Sequence, residues 1–206
     1  MNTQSTLYIP DISGFTKFVT DTEIDHGQNI TAALLEEIIK SNYLDFIVSE
    51  IEGDSVLFYR SNDNLNFEEL MELSLHIFRK FHEKRIELDS STKCNCGACS
   101  SITKLTLKFI VHLGEVRSSK ISNFVKLYGK DVILVHRLLK NNIKENQYIL
   151  FTNAHGFDIT SSKVFLAFDE PKIFVQDLED IGLVKGVYFT FNSTRDNNSE
   201  NSTHIH

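Results

Sequence analysis

Apolar and polar positions follow two different periods along this chain. Apolar residues recur at helical spacing from Ile30 to Ile38 and again across residues 67–86, which predicts two amphipathic helices. From Leu105 to Val111 every second residue is apolar, as in a strand with one buried face. The chain therefore combines helices with strands.

Short apolar runs predict further strands between these segments. The predicted strands cover residues 7–9, 46–48, 56–59, 148–151, 164–166 and 187–191, with two short strands within residues 115–127. Another helix is predicted to begin at Phe15 and one to cover residues 132–139, and residues 21–26 are predicted to form an acidic connector. This order predicts an α+β fold in which helices pack on a ferredoxin-like antiparallel sheet.

Two acidic turns stand where predicted strands end. Residues 10–16 read PDISGFT and residues 50–55 read EIEGDS, so that Asp11 and Asp54 each lie near a glycine. Two carboxylates on adjacent strands form a hard oxygen site suited to Mg²⁺ or Mn²⁺. Two ions held there could stabilise the attacking and leaving oxygens of an in-line displacement. Taken singly, Asp11 is better explained as a helix cap and Asp54 as a turn residue, but the two together favour the metal site.

Composition and charge narrow the class of partner. The net charge of −7 argues against nucleic acid or an anionic membrane as the main partner. No apolar run approaches the roughly 18 residues that cross a bilayer, and the N-terminus lacks signal-peptide features. We therefore expect one cytoplasmic domain over residues 1–191, followed by a disordered polar tail over residues 192–206.

All three cysteines lie in one short segment. Cys94, Cys96 and Cys99 form a C-x-C-x-x-C pattern that brings three thiols within reach of one ion. Zinc takes four ligands, and His82 is the nearest candidate for the fourth. A transient redox pair and a surface loop without a role are the alternatives, which the sequence leaves open.

Several motifs together resemble the class III nucleotidyl cyclase catalytic domain. The two acidic turns are similar to its two metal motifs, with the aspartates 43 residues apart (54 − 11). Further similarities are VHLGEV at residues 111–116, GKDVILVHRL at residues 129–138 and LVKG at residues 183–186. With the cysteine segment added, the chain resembles the cyclase-like family DUF2652, whose function is unknown.

The resemblance implies a fold, a reaction and a set of site residues. Asp11, Asp54 and the Ile12 carbonyl would hold two Mg²⁺ or Mn²⁺ ions, and the product would be a 3′,5′-cyclic nucleotide with pyrophosphate. Arg137 matches the arginine that stabilises the transition state, and Lys185 matches a second phosphate contact. Since family active sites form between two subunits, a homodimer is expected. The resemblance also assigns Phe15 and Thr16, from the first motif, to nucleotide binding.

The departures from the family pattern concern the ribose and the base. The asparagine that orients the ribose falls on Ile133, which has no hydrogen-bonding group. Glu50 and Lys126 fall on the two base-reading positions, where a carboxylate and a donor favour guanine; an exposed strand pair without a ligand is the alternative. Two functions follow as hypotheses: a metal-dependent cyclase acting on a purine nucleoside triphosphate, or an inactive cyclase fold that binds a nucleotide or a partner.

Overall fold

The computed structural model describes residues 3–61, 65–91, 101–152 and 167–192. Its strands are β1 (Thr3–Ser13), β2 (Ile47–Glu52), β3 (Ser55–Ser61), β4 (Thr106–Ile121), β5 (Phe124–Tyr128), β6 (Tyr148–Thr152), β7 (Lys172–Leu178) and β8 (Gly182–Thr190). Its α-helices are α1 (Phe15–Asp21), α2 (Ile24–Lys40), α3 (Phe67–Ser91) and α4 (Lys130–Leu138), and a 3₁₀ turn covers Ile102–Lys104.

The strands form a single sheet with β1 near its centre. The strand order is β2-β3-β1-β4-β6-β8-β7, and β5 extends from β4 as a hairpin. Among the described strands every pairing is antiparallel except that of β4 with β6. A parallel pair needs a crossover connection, and α4 provides it. The predicted α+β class, with a largely antiparallel sheet and packed helices, is confirmed.

Helices cover both faces of the sheet, which explains the continuous apolar run in β1. Tyr8 packs with α1, α2 and α3 on one face, and its hydroxyl lies 3.0 Å from the Ser74 hydroxyl. Leu7 and Ile9 point to the other face, where they pack with Val135 of α4 and its neighbours. All three β1 residues are fully buried. A strand buried on both faces reads as an unbroken hydrophobic run and holds its backbone rigidly.

Some predicted boundaries were wrong. The two short strands expected within residues 115–127 are the end of β4 and the separate strand β5, because β4 continues without a break to Ile121. The acidic connector is shorter than predicted, since α2 already begins at Ile24. Strand β7 was missed because three apolar residues follow one another at Ile173, Phe174 and Val175, of which only Phe174 is buried, so that apolar and polar positions do not alternate. The strand predicted over residues 164–166 and, of the tail predicted over residues 192–206, all but Asn192 lie outside the described residues.

None of the four described α-helices combines the length and the apolar character that crossing a bilayer requires.

Close backbone packing in the sheet requires a glycine on β8. A Cβ atom built on Gly186 would collide with the carbonyl oxygen of Phe151 on β6. We expect Gly186→Ala to lower the free energy of unfolding by about 1–3 kcal/mol because the two strands must separate. Urea denaturation measures this effect. Ile173→Ala, on the neighbouring strand and 84% exposed, is the control and should change stability by less than about 0.5 kcal/mol. An alanine at position 186 that stabilises the protein would contradict this packing.

Candidate active site

The two aspartates of the acidic turns lie on adjacent strands. Asp11 on β1 is opposite Ser55 of β3, the residue that follows Asp54. The Ile12 amide donates a hydrogen bond of 3.1 Å to the Asp54 carbonyl, which joins the two turns directly. Gly53 has φ +60°, a backbone conformation that favours glycine and lets the hairpin turn tightly before Asp54. The structure thus brings Asp11, Ile12 and Asp54 together.

A lysine accompanies the buried carboxylate of Asp11. Lys108 of β4 is the register partner of Asp11, and its Nζ lies 3.0 Å from Asp11 Oδ2. The same ammonium group donates to the Leu139 carbonyl at the C-terminal end of α4, over 2.8 Å. Burial raises the pKa of Asp11, and the attraction of Lys108 opposes that rise. Sequence reasoning missed Lys108, although it lies on the face of β4 opposite the alternating apolar residues.

Asp54 carries the stronger electrostatic perturbation. Burial, followed by repulsion from Asp11, raises the pKa of Asp54 to about 6. With both carboxylates ionised and Lys108 charged, these three side chains sum to −1, so that a further cation would relieve the repulsion. Carboxylate and carbonyl oxygens are the donors that Mg²⁺ and Mn²⁺ prefer. The residues present therefore fit a divalent cation.

The donor set is a sparse one. Among the residues that the structure describes, no cluster of three or more His, Cys, Asp or Glu side chains is arranged to hold a metal ion. A site of two carboxylates suits Mg²⁺, which keeps several waters and is often bound through one or two carboxylates plus substrate phosphates.

A histidine that sequence reasoning missed connects β2 with α4. His136 Nε2 lies 2.9 Å from Glu50 Oε1, and His136 Nδ1 lies 3.4 Å from Glu52 Oε2. Glu50 is therefore held by a residue adjacent to Arg137. The two residues are 86 positions apart in the chain, so no local sequence pattern indicates that they are in contact.

The positions on α4 and β5 that the resemblance singled out are exposed. Ile133 is 56% exposed on α4, and Arg137 is exposed one turn later. Lys126 is exposed on β5, opposite Ser119 of β4.

The remaining predicted residues lie on α1 and β8. Phe15, the first residue of α1, is partly buried beside Phe18, whereas Thr16 is exposed and its carbonyl accepts from the Thr20 hydroxyl. Lys185 is exposed on β8, which β4 and β6 separate from β1. The strand order thus sets Lys185 apart from Asp11 within one chain.

A buried polar network anchors the start of α4. The Asp131 carboxylate accepts a hydrogen bond from the Glu115 amide (2.7 Å), and its other oxygen lies 3.3 Å from His112 Nε2. The contact with His112 lowers the pKa of Asp131. Gly114 leaves the space for this approach, since a Cβ there would lie 2.5 Å from Asp131 Cβ. His112 is 4% exposed and its Nδ1 lies 2.9 Å from the Thr152 hydroxyl, as expected for a hydrogen-bonded core histidine.

The cysteine segment lies outside the described residues, so the zinc and redox alternatives stay predictions. His82, the fourth ligand considered, is on α3. Its Nδ1 lies 2.8 Å from the Phe78 carbonyl and its Nε2 lies 3.3 Å from the Thr106 hydroxyl. A carbonyl can only accept, so Nδ1 carries a proton in the contact with Phe78.

Comparison by sequence identifies one family and one relative. The family described as "Protein of unknown function (DUF2652)" matches residues 31–148, a range that includes Asp54 and Arg137 but not Asp11 or Lys185. The uncharacterized protein Rv2561/Rv2562 of Mycobacterium tuberculosis is 31% identical over 122 residues, which is 59% of this chain and 57% of that protein. The match therefore spans little more than half of that relative.

Comparison by structure finds nucleotide cyclases. The adenylyl cyclase CyaB from P. aeruginosa has a TM-score of 0.64 at 14% identity, covering 95% of this chain and 97% of that one. The guanylyl cyclase Cya2 has a TM-score of 0.65 at 10% identity, covering 95% and 96%. The guanylate cyclase domain of RhGC from Catenaria anguillulae, in complex with GTP, has a TM-score of 0.61 at 14% identity, covering 92% and 97%. The class III cyclase fold that the motifs predicted is confirmed.

The raised pKa of Asp54 makes stability depend on pH. The folded-state pKa of about 6 exceeds the ordinary value of 3.8, so the folded protein binds more protons than the unfolded chain between these values. Stability therefore falls as the pH rises through that window, and the penalty is complete above about pH 6. For a side chain fully buried from solvent, this pKa shift would correspond to a loss of about 3 kcal/mol in free energy of unfolding. Because Asp54 is only half-buried, solvent screening reduces the expected loss to about 1 kcal/mol.

We expect Asp54→Asn to exceed the wild type in free energy of unfolding by about 1 kcal/mol at pH 7.5 in the presence of EDTA. The difference should vanish near pH 4, where the wild-type carboxyl is protonated. Urea denaturation across this pH range measures it. Asp25→Asn, at an exposed position of α2, is the control and should change stability by less than about 0.5 kcal/mol. A gain that stays constant with pH would contradict the electrostatic origin.

Proposed function

Since the chain belongs to the DUF2652 family and has the class III cyclase fold, we propose that it is a metal-dependent nucleotidyl cyclase. Its substrate would be a purine nucleoside triphosphate, GTP first, and its products a 3′,5′-cyclic nucleotide and pyrophosphate. The observation that carries this proposal is the pair of adjacent carboxylates, Asp11 and Asp54, where burial and then repulsion from Asp11 raise the pKa of Asp54 to about 6. Divalent cations would relieve the repulsion between these two carboxylates, and a nucleoside triphosphate requires the same cations.

The metal-binding half of the proposed site comes from β1 and the β2–β3 turn. Asp11, Asp54 and the Ile12 carbonyl would hold two Mg²⁺ or Mn²⁺ ions, which when bound neutralise phosphate charge and lower the pKa of a coordinated hydroxyl. Lys108 already places an ammonium group 3.0 Å from Asp11 Oδ2. A lysine ammonium on its flexible stem could also contact a phosphate oxygen, because carboxylate and phosphate are both anionic acceptors.

The cationic half of the proposed site comes from a second subunit. Arg137 on α4 would stabilise the charge that develops on the α-phosphate, since a guanidinium can bind two phosphate oxygens at once. Lys185 on β8 would contact the phosphates as a point charge. Within one chain the two strands β4 and β6 lie between β8 and β1, which supports a site shared between subunits.

Exposed apolar side chains next to these polar residues support a homodimer. Phe124 and Tyr128 are 77% and 76% exposed, and they lie two positions before and after Lys126, on the same face of β5. Ile133 is 56% exposed one helical turn before Arg137. Large apolar side chains that stay in contact with water commonly mark a surface that another protein covers.

The base preference rests on hydrogen-bonding capacity. The Glu50 carboxylate can accept from the N1 and N2 groups of guanine, and the Lys126 ammonium can donate to its O6. Adenine offers the opposite pattern at these positions.

The inactive binding module remains the second candidate because of Ile133. Its exposed side chain occupies the position where the family has an asparagine and cannot hydrogen-bond a ribose. In this case metal and nucleotide would bind without turnover, and the protein would act through its conformation or a partner.

The test of activity is product analysis by mass spectrometry after incubation with Mn²⁺ and each of ATP, GTP, CTP and UTP. We expect cyclic GMP as the main product, and at least about a 100-fold loss in Asp54→Ala because the metal site is broken. Circular dichroism confirms that the variant is folded. The absence of product from every nucleotide, with nucleotide binding retained, would favour the inactive module; turnover that persists in Asp54→Ala would refute the metal assignment.

The shared site makes a quantitative prediction for mixed subunits. Asp54→Ala and Arg137→Ala should each be inactive alone, because each removes one half of every site. In an equal mixture half of the dimers are mixed, and each mixed dimer has one intact site of two, which gives about a quarter of the wild-type rate. The rate after co-refolding or subunit exchange measures this. A mixture as inactive as its components would place both halves in one chain.

A further inference from the structure

We propose that His136 is a positioning residue that fixes the Glu50 carboxylate for the nucleobase and thereby determines base selectivity. This inference rests on the proposed function, in which Glu50 contacts the base. The observation that carries it is the contact of 2.9 Å between His136 Nε2 and Glu50 Oε1. It joins the base-reading position on β2 to the helix that carries Arg137.

The surroundings of the imidazole define its orientation. Glu50 is on one side of the ring and Glu52 on the other, with Nδ1 3.4 Å from Glu52 Oε2. The His136 side chain is 25% exposed and that of Glu50 is 39% exposed, whereas that of Glu52 is 74% exposed. Solvent screens the outer contact most, so the contact with Glu50 is the stronger of the two.

The backbone of His136 is held as firmly as its ring. Val135, directly before His136, and Leu138, two residues after it, are fully buried in the core between α4 and the sheet. At the start of the helix, Asp131 accepts from the Glu115 amide of β4. The imidazole therefore projects from a rigid helix, and it confines a Glu50 side chain that would otherwise sample several rotamers.

The contact leaves Glu50 able to read a base. An ionised carboxylate has two oxygens and about four acceptor positions, so that one oxygen can accept from His136 while the other accepts from a ligand. A carboxylate fixed in advance loses less entropy on binding than a mobile one. The gain is larger for a base with N–H donors, as in guanine, than for one that presents an acceptor at the same edge.

The test measures equilibrium binding, so that it does not depend on turnover. The ligands are 3′-deoxy-GTP and 3′-deoxy-ATP with Mn²⁺, which lack the attacking hydroxyl, and calorimetry gives both dissociation constants. We expect the wild type to prefer the guanine ligand and His136→Ala to reduce this preference about 3- to 10-fold, the effect of one hydrogen bond. His136→Gln, which keeps a neutral N–H donor, should recover part of it. His76→Ala, at a histidine of α3 that packs on Tyr43, is the matched control and should leave the preference unchanged.

The outcomes separate this inference from the proposed function. An unchanged preference in His136→Ala and His136→Gln overturns the role of His136 and leaves the cyclase proposal standing. A wild type that binds both ligands equally also overturns it, again without touching the cyclase proposal. A wild type that binds neither ligand removes the proposed function, and the role of His136 with it. If His136→Ala does not fold, the ratio of the two dissociation constants in His136→Gln decides. This variant keeps an N–H donor but loses the ring, so a preference between none and that of the wild type supports the role of His136, and an unchanged preference overturns it.

Discussion

The repulsion between two carboxylates at the centre of the sheet is the constraint on which the rest of this structure depends. Asp11 is buried on a strand that has helices on both faces, and Asp54 lies against it in the adjoining turn. Lys108 offsets one of the two charges and at the same time donates to the carbonyl of Leu139, directly after α4. The charge balance at Asp11 is thus linked, through Lys108, to the position of α4. Any ligand that changes the charge at Asp11 acts on both.

Helix α4 concentrates the features that decide between a cyclase and a binding module. Ile133, His136 and Arg137 follow one another within about one turn of the helix. Its first turn is fixed to β4 through Asp131, for which Gly114 leaves space. Its end is bound by Lys108. The helix is therefore a rigid support, and the chemistry of its exposed side chains can change without disturbing the fold.

Local patterns were enough to predict the class of fold, the two central turns and the principal helices, because period and turn chemistry are encoded in neighbouring residues. They could not predict Lys108 or His136 as part of the site. Each acts through a partner far away in the chain, Asp11 in one case and Glu50 in the other, and such contacts arise from register and crossover geometry. The same reason explains the boundary between β4 and β5: the mostly polar end of β4 after Val116 is paired with β5 in a hairpin, a contact that local periodicity does not reveal. Strand β7 lies at the edge of the sheet, where the exposed apolar residues Ile173 and Val175 hide the alternation of buried and exposed positions.

The register of β1 against β4 has a consequence for the order in which the molecule forms. Asp11 is opposite Lys108, so the closure of this pair spans 97 positions (108 − 11). Contacts of such long range form slowly, because the loop between them must be ordered before they contribute. During synthesis β1 leaves the ribosome well before β4. Until β4 has been made, the apolar run of β1 has one unpaired edge. The contact between Asp11 and Lys108 thus forms only after β4 has been made, and a chain interrupted before β4 is released with the apolar run of β1 open to aggregation.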